Sequence, residues 1–165
     1  MAMIPESFSI HRTAERGVHK LPEIFGGLGD SPALARLFKT GKDLEEFLEG
    51  VTLRITRSGG YMYVDPWDGS VVVSWDYLVE GDQRDLYLDI IHELVHVKQW
   101  HQGRDLYDRQ YSYTERPTER EAYSVVVTEA RRLGMLEREI IEYLEVPWIS
   151  KEEVILLARK LGIET

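Results

Sequence analysis

The sequence predicts an α+β fold, with one domain in which a small, mainly antiparallel sheet packs on several helices. Apolar and polar residues alternate in short segments between residues 51 and 75, as in half-buried strands, and stretches with helical periodicity and capping residues lie before and after them. The 165 residues, 43% of them hydrophobic, can bury about 70% of the unfolded surface in one core. No linker divides them, so residues 1–165 are expected to form a single domain.

Residues 1–29 contain several prolines and glycines and show no clear periodicity. We interpret them as an N-terminal arm that wraps the domain or crosses its cleft. The arm carries His11 and His19, which we expect to be solvated or packed, and a role in offering a ligand to a metal ion is the less favoured alternative. Two short helices should follow, one beginning at Ser31-Pro32 and the other over residues 42–48.

Three strands are predicted in succession. Residues 51–55 alternate apolar and polar side chains, and the Ser-Gly-Gly segment 58–60 should turn this strand into a second one over residues 61–64. The Asp-Pro-Trp-Asp-Gly segment 65–69 is another turn signal before a third strand over residues 71–75. The first two strands would form a hairpin, and all three together a meander.

Residues 135–165 are predicted to form a C-terminal helical subregion. One helix covers residues 136–145 and stops before Pro147, and Ser150 with Glu153 forms a capping box that opens a last helix. The residues of this subregion that we expect to face the core are Ile155, Leu156 and Leu161.

The most informative segment is the helix predicted to begin at Asp82, because it contains the sequence His92-Glu-Leu-Val-His96. Four residues make about one helical turn, so both imidazoles project from one face and can share a tetrahedral ion, which suits zinc. Glu93 lies about 100° further round the helix, where it can act as a general base. Two histidines and a glutamate in so apolar a helix need partners, which an ion provides, and the alternative is a pair of core histidines satisfied by hydrogen bonds.

A catalytic zinc needs a third protein ligand, and the absence of cysteine limits it to histidine or carboxylate. His101 is a weak candidate because it is typical of a polar residue in the last turn of its helix. The favoured candidate is Glu119, in a helix expected to begin at Thr118, although an acid that favours the helix dipole is the alternative role for it. Thr118 and Glu121 have the spacing of a capping box, which gives Glu121 a structural task and makes it the fallback ligand.

Composition and charge exclude several function classes. No apolar run approaches the about 20 residues that span a bilayer, and no signal-peptide pattern is present, so we expect a soluble protein without a membrane partner. The absence of cysteine excludes disulfides and favours a cytoplasmic location. The net charge of −9 argues against nucleic acid as a partner, and five arginines between residues 109 and 132 are expected to pair with neighbouring glutamates. No pattern indicates an oligomeric state.

With His-Glu-x-x-His on one helix and Glu-x-x-Ala at the head of the next, the chain resembles the gluzincin metallopeptidases. In its small size, the chain is most similar to the single-domain minigluzincin type. The resemblance covers residues 50–134 and implies a zincin-like fold, in which a twisted sheet packs on an active-site helix and a glutamate helix. Where thermolysin-like members have an acid that orients a histidine ligand, this chain has Tyr123. The motif residues that carry the resemblance are His92, Glu93, His96 and Glu119.

The resemblance implies that the protein hydrolyses peptide bonds in a peptide or protein substrate, which binds as an extended strand at a sheet edge. It also implies one zinc ion per chain on His92, His96 and Glu119, with Glu93 as the general base. A regulatory peptidase that cuts one protein partner is a variant of this hypothesis. The alternative function is a catalytically silent or latent zinc-binding domain that serves as a protein-interaction module.

A further donor should stabilise the oxyanion of the tetrahedral intermediate. Tyr111 and Tyr113, on the segment that connects the two helices, are the candidates, because a phenol donates a hydrogen bond without carrying charge. Tyr123 is a weaker candidate. Packing is the alternative role for each of these tyrosines.

Overall fold

The structure is a computed structural model that describes residues 2–57 and 61–165, and it has the predicted α+β architecture. Its strands are β1 (Ser9–Ile10), β2 (Gly17–Lys20), β3 (Phe25–Gly26), β4 (Thr52–Thr56), β5 (Met62–Val64) and β6 (Val71–Ser74). Its helices are α1 (Leu21–Ile24), α2 (Pro32–Ala35), α3 (Gly41–Glu49), α4 (Trp75–Glu80), α5 (Gln83–His101), α6 (Pro117–Arg132), α7 (Glu137–Leu144) and α8 (Lys151–Lys160). Short 3₁₀ turns lie at Leu28–Asp30 and Tyr113–Glu115.

Four strands form a mixed sheet in the order β2-β4-β6-β5. β4 pairs in parallel with β6, whereas the β2–β4 and β5–β6 pairs are antiparallel. The predicted hairpin between β4 and β5 is wrong, and so is the meander, because β6 lies between these strands. Every residue of β6 is buried, as a Val-Val-Val run in a central strand requires, whereas β5 alternates buried and exposed residues at the edge. The predicted turn over residues 58–60 lies outside the described residues.

The N-terminal residues belong to the body of the domain, so the prediction of an arm is wrong. β2 forms the edge of the sheet beside β4, and β1 pairs with β3 in a separate two-stranded ladder. Phe8, Leu21 and Phe25 lie in the core with at most 5% exposure. The segment shows no periodicity because its strands and helix are only two to four residues long. Neither His11 nor His19 lines the cleft that is described below.

Several helices begin where the sequence supplies a capping side chain. Ser31 accepts a hydrogen bond from the amide of Leu34, and Asp82 accepts from two amides in the first turn of α5. The predicted capping box of Ser150 and Glu153 is present at the start of α8. No helix of the described ranges has both the length and the apolar character that a membrane span needs.

The C-terminal subregion is helical as predicted, but α8 packs with a different face. Ile155 and Leu156 are 39% and 53% exposed, so the prediction that they face the core is wrong. The buried side chains of α8 belong to Val154, Leu157 and Ala158. Five consecutive apolar residues give the helix no clear phase, and contacts with the rest of the domain decide which of them are buried.

The turn between β5 and β6 fixes the end of α5 against the sheet. Nε1 of Trp100 donates to the carbonyl of Pro66 at 2.9 Å. Gly69 has φ +75°, and a Cβ there would lie 2.6 Å from the indole ring of Trp100. The glycine therefore allows both the turn and the close approach of the ring.

Replacing Gly69 by alanine should lower the free energy of unfolding by about 2 kcal/mol or more, because the left-handed backbone becomes strained and the Trp100 ring must move. Gly41→Ala is the matched control, since a Cβ at Gly41, in the first turn of α3, would meet nothing within 4 Å. That control should keep the stability or raise it by up to about 1 kcal/mol. Urea unfolding followed by tryptophan fluorescence measures both, and equal losses in the two variants would contradict the argument.

Candidate metal centre

The candidate site is built by two long helices that pack side by side in opposite directions. Near the start of α5, the hydroxyl of Tyr87 donates to Glu129 at 2.5 Å, late in α6. Near the end of α5, the amide of Gln99 donates to the carbonyl of Thr118 at 3.1 Å, early in α6. This antiparallel register places the middle of α5 opposite the first turn of α6.

Three buried side chains converge between these helices, each with 5 or 6% exposure. Nε2 of His92 lies 2.9 Å from Oε1 of Glu119, and Nε2 of His96 lies 2.8 Å from the same oxygen. The two Nε2 atoms are 3.1 Å apart. The structure therefore brings together the three residues that the sequence analysis favours as ligands, and they could hold a metal ion.

The cluster is chemically suited to a cation. An imidazole nitrogen offers a lone pair when it is deprotonated, and a carboxylate oxygen carries negative charge, so such atoms at these distances repel one another unless a proton or metal ion lies among them. Burial acts to lower the pKa of His96, but the hydrogen bond and charge of Glu119 outweigh it and raise this pKa to about 9. Burial acts to raise the pKa of Glu119, and the hydrogen bonds from His92 and His96 reverse this and lower it.

Gln99 sets the tautomer of His96. Its side-chain nitrogen must face the carbonyl of Thr118, because a carbonyl can only accept, and this leaves Oε1 of Gln99 facing Nδ1 of His96 at 2.7 Å. That oxygen also only accepts, so the proton of a neutral His96 lies on Nδ1 and its lone pair lies on Nε2, directed at the cluster. Gln99 is 1% exposed. It is the orienting partner of one histidine, which the sequence analysis does not identify.

His92 is held mainly by packing. The ring of Tyr123 lies 4.4 Å from the His92 ring, between centroids, and Nδ1 of His92 is buried without a hydrogen-bond partner in the described part of the chain. Asp89, one turn earlier in α5, accepts hydrogen bonds from the hydroxyls of Tyr77 and Tyr143, and burial raises the pKa of its carboxyl. The contact with the Tyr123 ring thus limits the orientation of this imidazole.

Glu93 lies beside the cluster and is not part of it. Its side chain is buried, with the residue 8% exposed, and it lines the same cleft as the two histidines. Burial raises its pKa to about 8, because the charge of His96 offsets only part of the loss of solvent. No hydrogen bond among the described residues engages this carboxyl, so it is available to a molecule in the cleft.

The cluster opens into a cleft of about 660 Å³, lined by seven of the nine tyrosines. The hydroxyls of Tyr113 and Tyr123 are 2.7 Å apart, and the hydroxyl of Tyr107 donates to the carbonyl of Val64 at 2.7 Å. Burial raises the pKa of Tyr113 and Tyr123, so both phenols stay protonated. Tyr111 is 42% exposed and does not line the cleft. The structure thus brings only one of the two favoured tyrosines to the site.

The predicted capping box at the start of α6 is wrong. The helix begins at Pro117 with Arg116 as its N-cap, so Thr118 cannot form the predicted capping box. Glu121, the fallback ligand, points away from the cluster and pairs with Arg104 at 2.6 Å. His101 lies outside the cluster at the exposed end of α5, as expected for a polar residue of the last helical turn. Proline has no amide hydrogen and a fixed φ, which favours the first helical position, so the N-cap lies two residues earlier than predicted.

The predicted pairing of arginines with glutamates holds in part. Arg131 pairs with Glu137 at 3.2 Å, and Arg132 pairs with Glu129 at 2.6 Å. Arg116 lines the cleft instead and makes no such pair among the described residues. The place of Arg116 in the cleft depends on the fold of the segment that connects α5 to α6, which the sequence pattern does not reveal.

Comparison of the chain with protein-family models, with curated proteins and with solved structures finds no match. The chemistry of the site is therefore argued from its own residues. Two imidazoles and a carboxylate form a donor set that suits a divalent transition-metal ion.

We expect elemental analysis to find one metal ion per chain in the purified protein, and none in Glu119→Ala, because two histidines alone hold such an ion weakly. Glu121→Ala is the matched control, since its carboxylate is two residues away on the same helix and outside the cluster. It should keep the ion. Retention of the ion by Glu119→Ala would show that Glu119 is not the third ligand.

Replacing Gln99 by methionine should weaken metal affinity by about 10- to 100-fold, because His96 loses the acceptor that holds its proton on Nδ1. The measurement is competition for cobalt or zinc against a chromophoric chelator. Gln102→Met serves as the control, since Gln102 is exposed at the end of the same helix. Equal affinities for Gln99→Met and the wild type would contradict an orienting role.

Proposed function

We propose that this protein is a zinc-dependent metallopeptidase that hydrolyses peptide bonds with Glu93 as the general base. The observation that carries this proposal is the carboxyl of Glu93, which makes no hydrogen bond to any described residue. It is buried in the cleft next to the cluster of His92, His96 and Glu119. A domain that binds metal only for its stability has no need of such a group beside the ion. The geometry therefore favours a hydrolase over a silent module.

Each residue of the site has a distinct task in this proposal. A zinc ion on His92, His96 and Glu119 would lower the pKa of a coordinated water to about 7 and polarise the scissile carbonyl. Glu93 takes the proton of the attacking water and returns it to the leaving amine. No hydrogen bond among the described residues engages the carboxyl of Glu93, so it can bind the attacking water and exchange a proton with it.

Tyr113 and Tyr123 are the proposed oxyanion donors. Their hydroxyls are hydrogen-bonded to each other at 2.7 Å, and in such a pair one hydroxyl accepts while its own proton stays free for another acceptor. Tyr123 also contacts the ring of His92, which places the pair beside the cluster. A neutral phenol in a cleft of low dielectric stabilises developing negative charge without a charge of its own.

The edge strand β5 is the proposed platform for an extended substrate. The carbonyl of Tyr61 accepts from Ser74 and the amide of Asp65 donates to Ser70, so residues 61 and 65 direct their bonds towards β6. By the alternation of an antiparallel ladder, Met62 and Val64 direct their backbone groups to the outer side of β5, where the carbonyl of Val64 already accepts from the hydroxyl of Tyr107. Met62 also lines the cleft, so a peptide could add to this edge as another strand.

Glu93→Gln should reduce casein proteolysis by about 10²- to 10⁴-fold, because the amide cannot take a proton, while zinc content stays at one per chain. Both are measured on the same preparations, with Glu121→Ala as a control that should keep activity and zinc. Proteolysis that survives in Glu93→Gln would contradict the assigned role. A zinc-loaded wild type without any proteolysis would instead favour the latent domain or the protein-interaction module.

A further inference from the structure

The cleft contains a guanidinium group that pairs with no carboxylate and donates to no carbonyl among the described residues. Arg116 is the residue directly before α6, three positions before Glu119, and it is the only lysine or arginine among the described residues that line the cleft. Its guanidinium carbon lies 5.9 Å from the ring centres of both Tyr107 and Tyr113. Its Nε atom is buried and has no hydrogen-bond partner within the described ranges.

This arrangement is unusual within the molecule. The other partly buried arginines each pair with a carboxylate or donate to backbone carbonyls, and they are Arg12, Arg54, Arg84, Arg104, Arg120 and Arg132. In the part of the chain that the structure describes, Arg116 alone among the partly buried arginines does neither. The chain has 29 acidic residues against 20 basic ones, so carboxylates are not scarce. The positive charge of Arg116 is therefore available to a molecule that enters the cleft.

The contacts of Arg116 indicate which chemical group it would bind. Aromatic rings attract the face of a guanidinium, whereas its N–H groups point outwards in its plane. Two parallel N–H groups match the two oxygens of a carboxylate. A carboxylate that entered the cleft would give the accessible terminal N–H groups of this guanidinium an acceptor, because no hydrogen bond among the described residues engages them.

We propose that Arg116 forms a carboxylate-binding subsite, which selects peptides with an acidic side chain or a C-terminal carboxylate beside the cleaved bond. This inference rests on the proposed peptidase function. Tyr113 lies between Arg116 and Tyr123, with ring centres of Tyr113 and Tyr123 6.4 Å apart, and Tyr123 contacts His92. The subsite thus lies next to the cluster of His92, His96 and Glu119 and not within it. It recognises the substrate and does not touch the reacting atoms.

The test is cleavage of randomised octapeptides, made with free and with amidated C termini, by the zinc-loaded protein, with products identified by mass spectrometry. Aspartate or glutamate enriched beside the cleaved bond in both sets would assign the ligand to a side chain. Cleavage confined to the free set, near the C terminus, would assign it to the terminal carboxylate. The absence of both preferences would overturn the proposal.

Variants of Arg116 then test the residue itself. For a cleaved peptide and its counterpart with the carboxylate replaced by an amide, the ratio of kcat/KM should be about 10 to 100 in the wild type and near one in Arg116→Gln. Arg116→Lys should give an intermediate ratio, because it keeps the charge but loses the two parallel donors. Arg109→Gln, at an exposed arginine of the same connecting segment, should keep the wild-type ratio. A ratio unchanged in Arg116→Gln would overturn the proposal.

A binding measurement separates this inference from the peptidase proposal. If the wild type cleaves no octapeptide, the peptidase proposal fails, and the same mixtures are passed over immobilised, zinc-loaded Glu93→Gln protein. Selective retention of acidic peptides, lost when Arg116→Gln is added, would support the subsite. Equal retention of acidic and neutral peptides would overturn it.

Discussion

The antiparallel register of α5 and α6 is the constraint on which the site depends. It is fixed at one end by the buried hydrogen bond from Tyr87 to Glu129 and at the other by the bond from Gln99 to the backbone of Thr118. A shift of one residue along α6 would turn Glu119 about 100° away from the histidines. Because apolar packing alone tolerates sliding between helices, these directional polar contacts specify the register.

The same helices bury a group of polar atoms, and burying such atoms in an apolar core without a partner costs free energy. Two imidazoles and a carboxylate lie at 5 or 6% exposure, and each must be neutral, protonated or bound to a cation to be tolerated there. A metal ion that satisfies all three would stabilise the folded state through its binding free energy, since the unfolded chain has no preformed site. Folding would then be linked to metal binding through the same three side chains.

The predictable part of this molecule is local in sequence. His92 and His96 are one helical turn apart, so their common face follows from spacing alone, and the Asp82 cap and the Ser150 capping box depend on neighbouring residues. The order of the strands was not predictable, because β6 enters between β4 and β5 through contacts distant in sequence. Gln99 and Arg116 were missed for the same reason, since each acts through a tertiary contact that no local pattern encodes.

The cleft contains two kinds of hydrogen-bond donor, neutral tyrosines and the cationic Arg116, and they have different tasks. Tyrosines supply most of the donors, and burial keeps Tyr113 and Tyr123 protonated, so they offer hydrogen bonds without adding charge near the cluster. Arg116 is the one basic side chain from outside the cluster among the described residues that line the cleft, and the carboxyls of Asp85 and Glu142 line the same cleft. A substrate with an anionic group would be oriented by this contrast, because only one direction along the cleft brings its charge to the guanidinium. Orientation and reaction would then be assigned to different residues, with Arg116 selecting the substrate and Glu93 moving the proton.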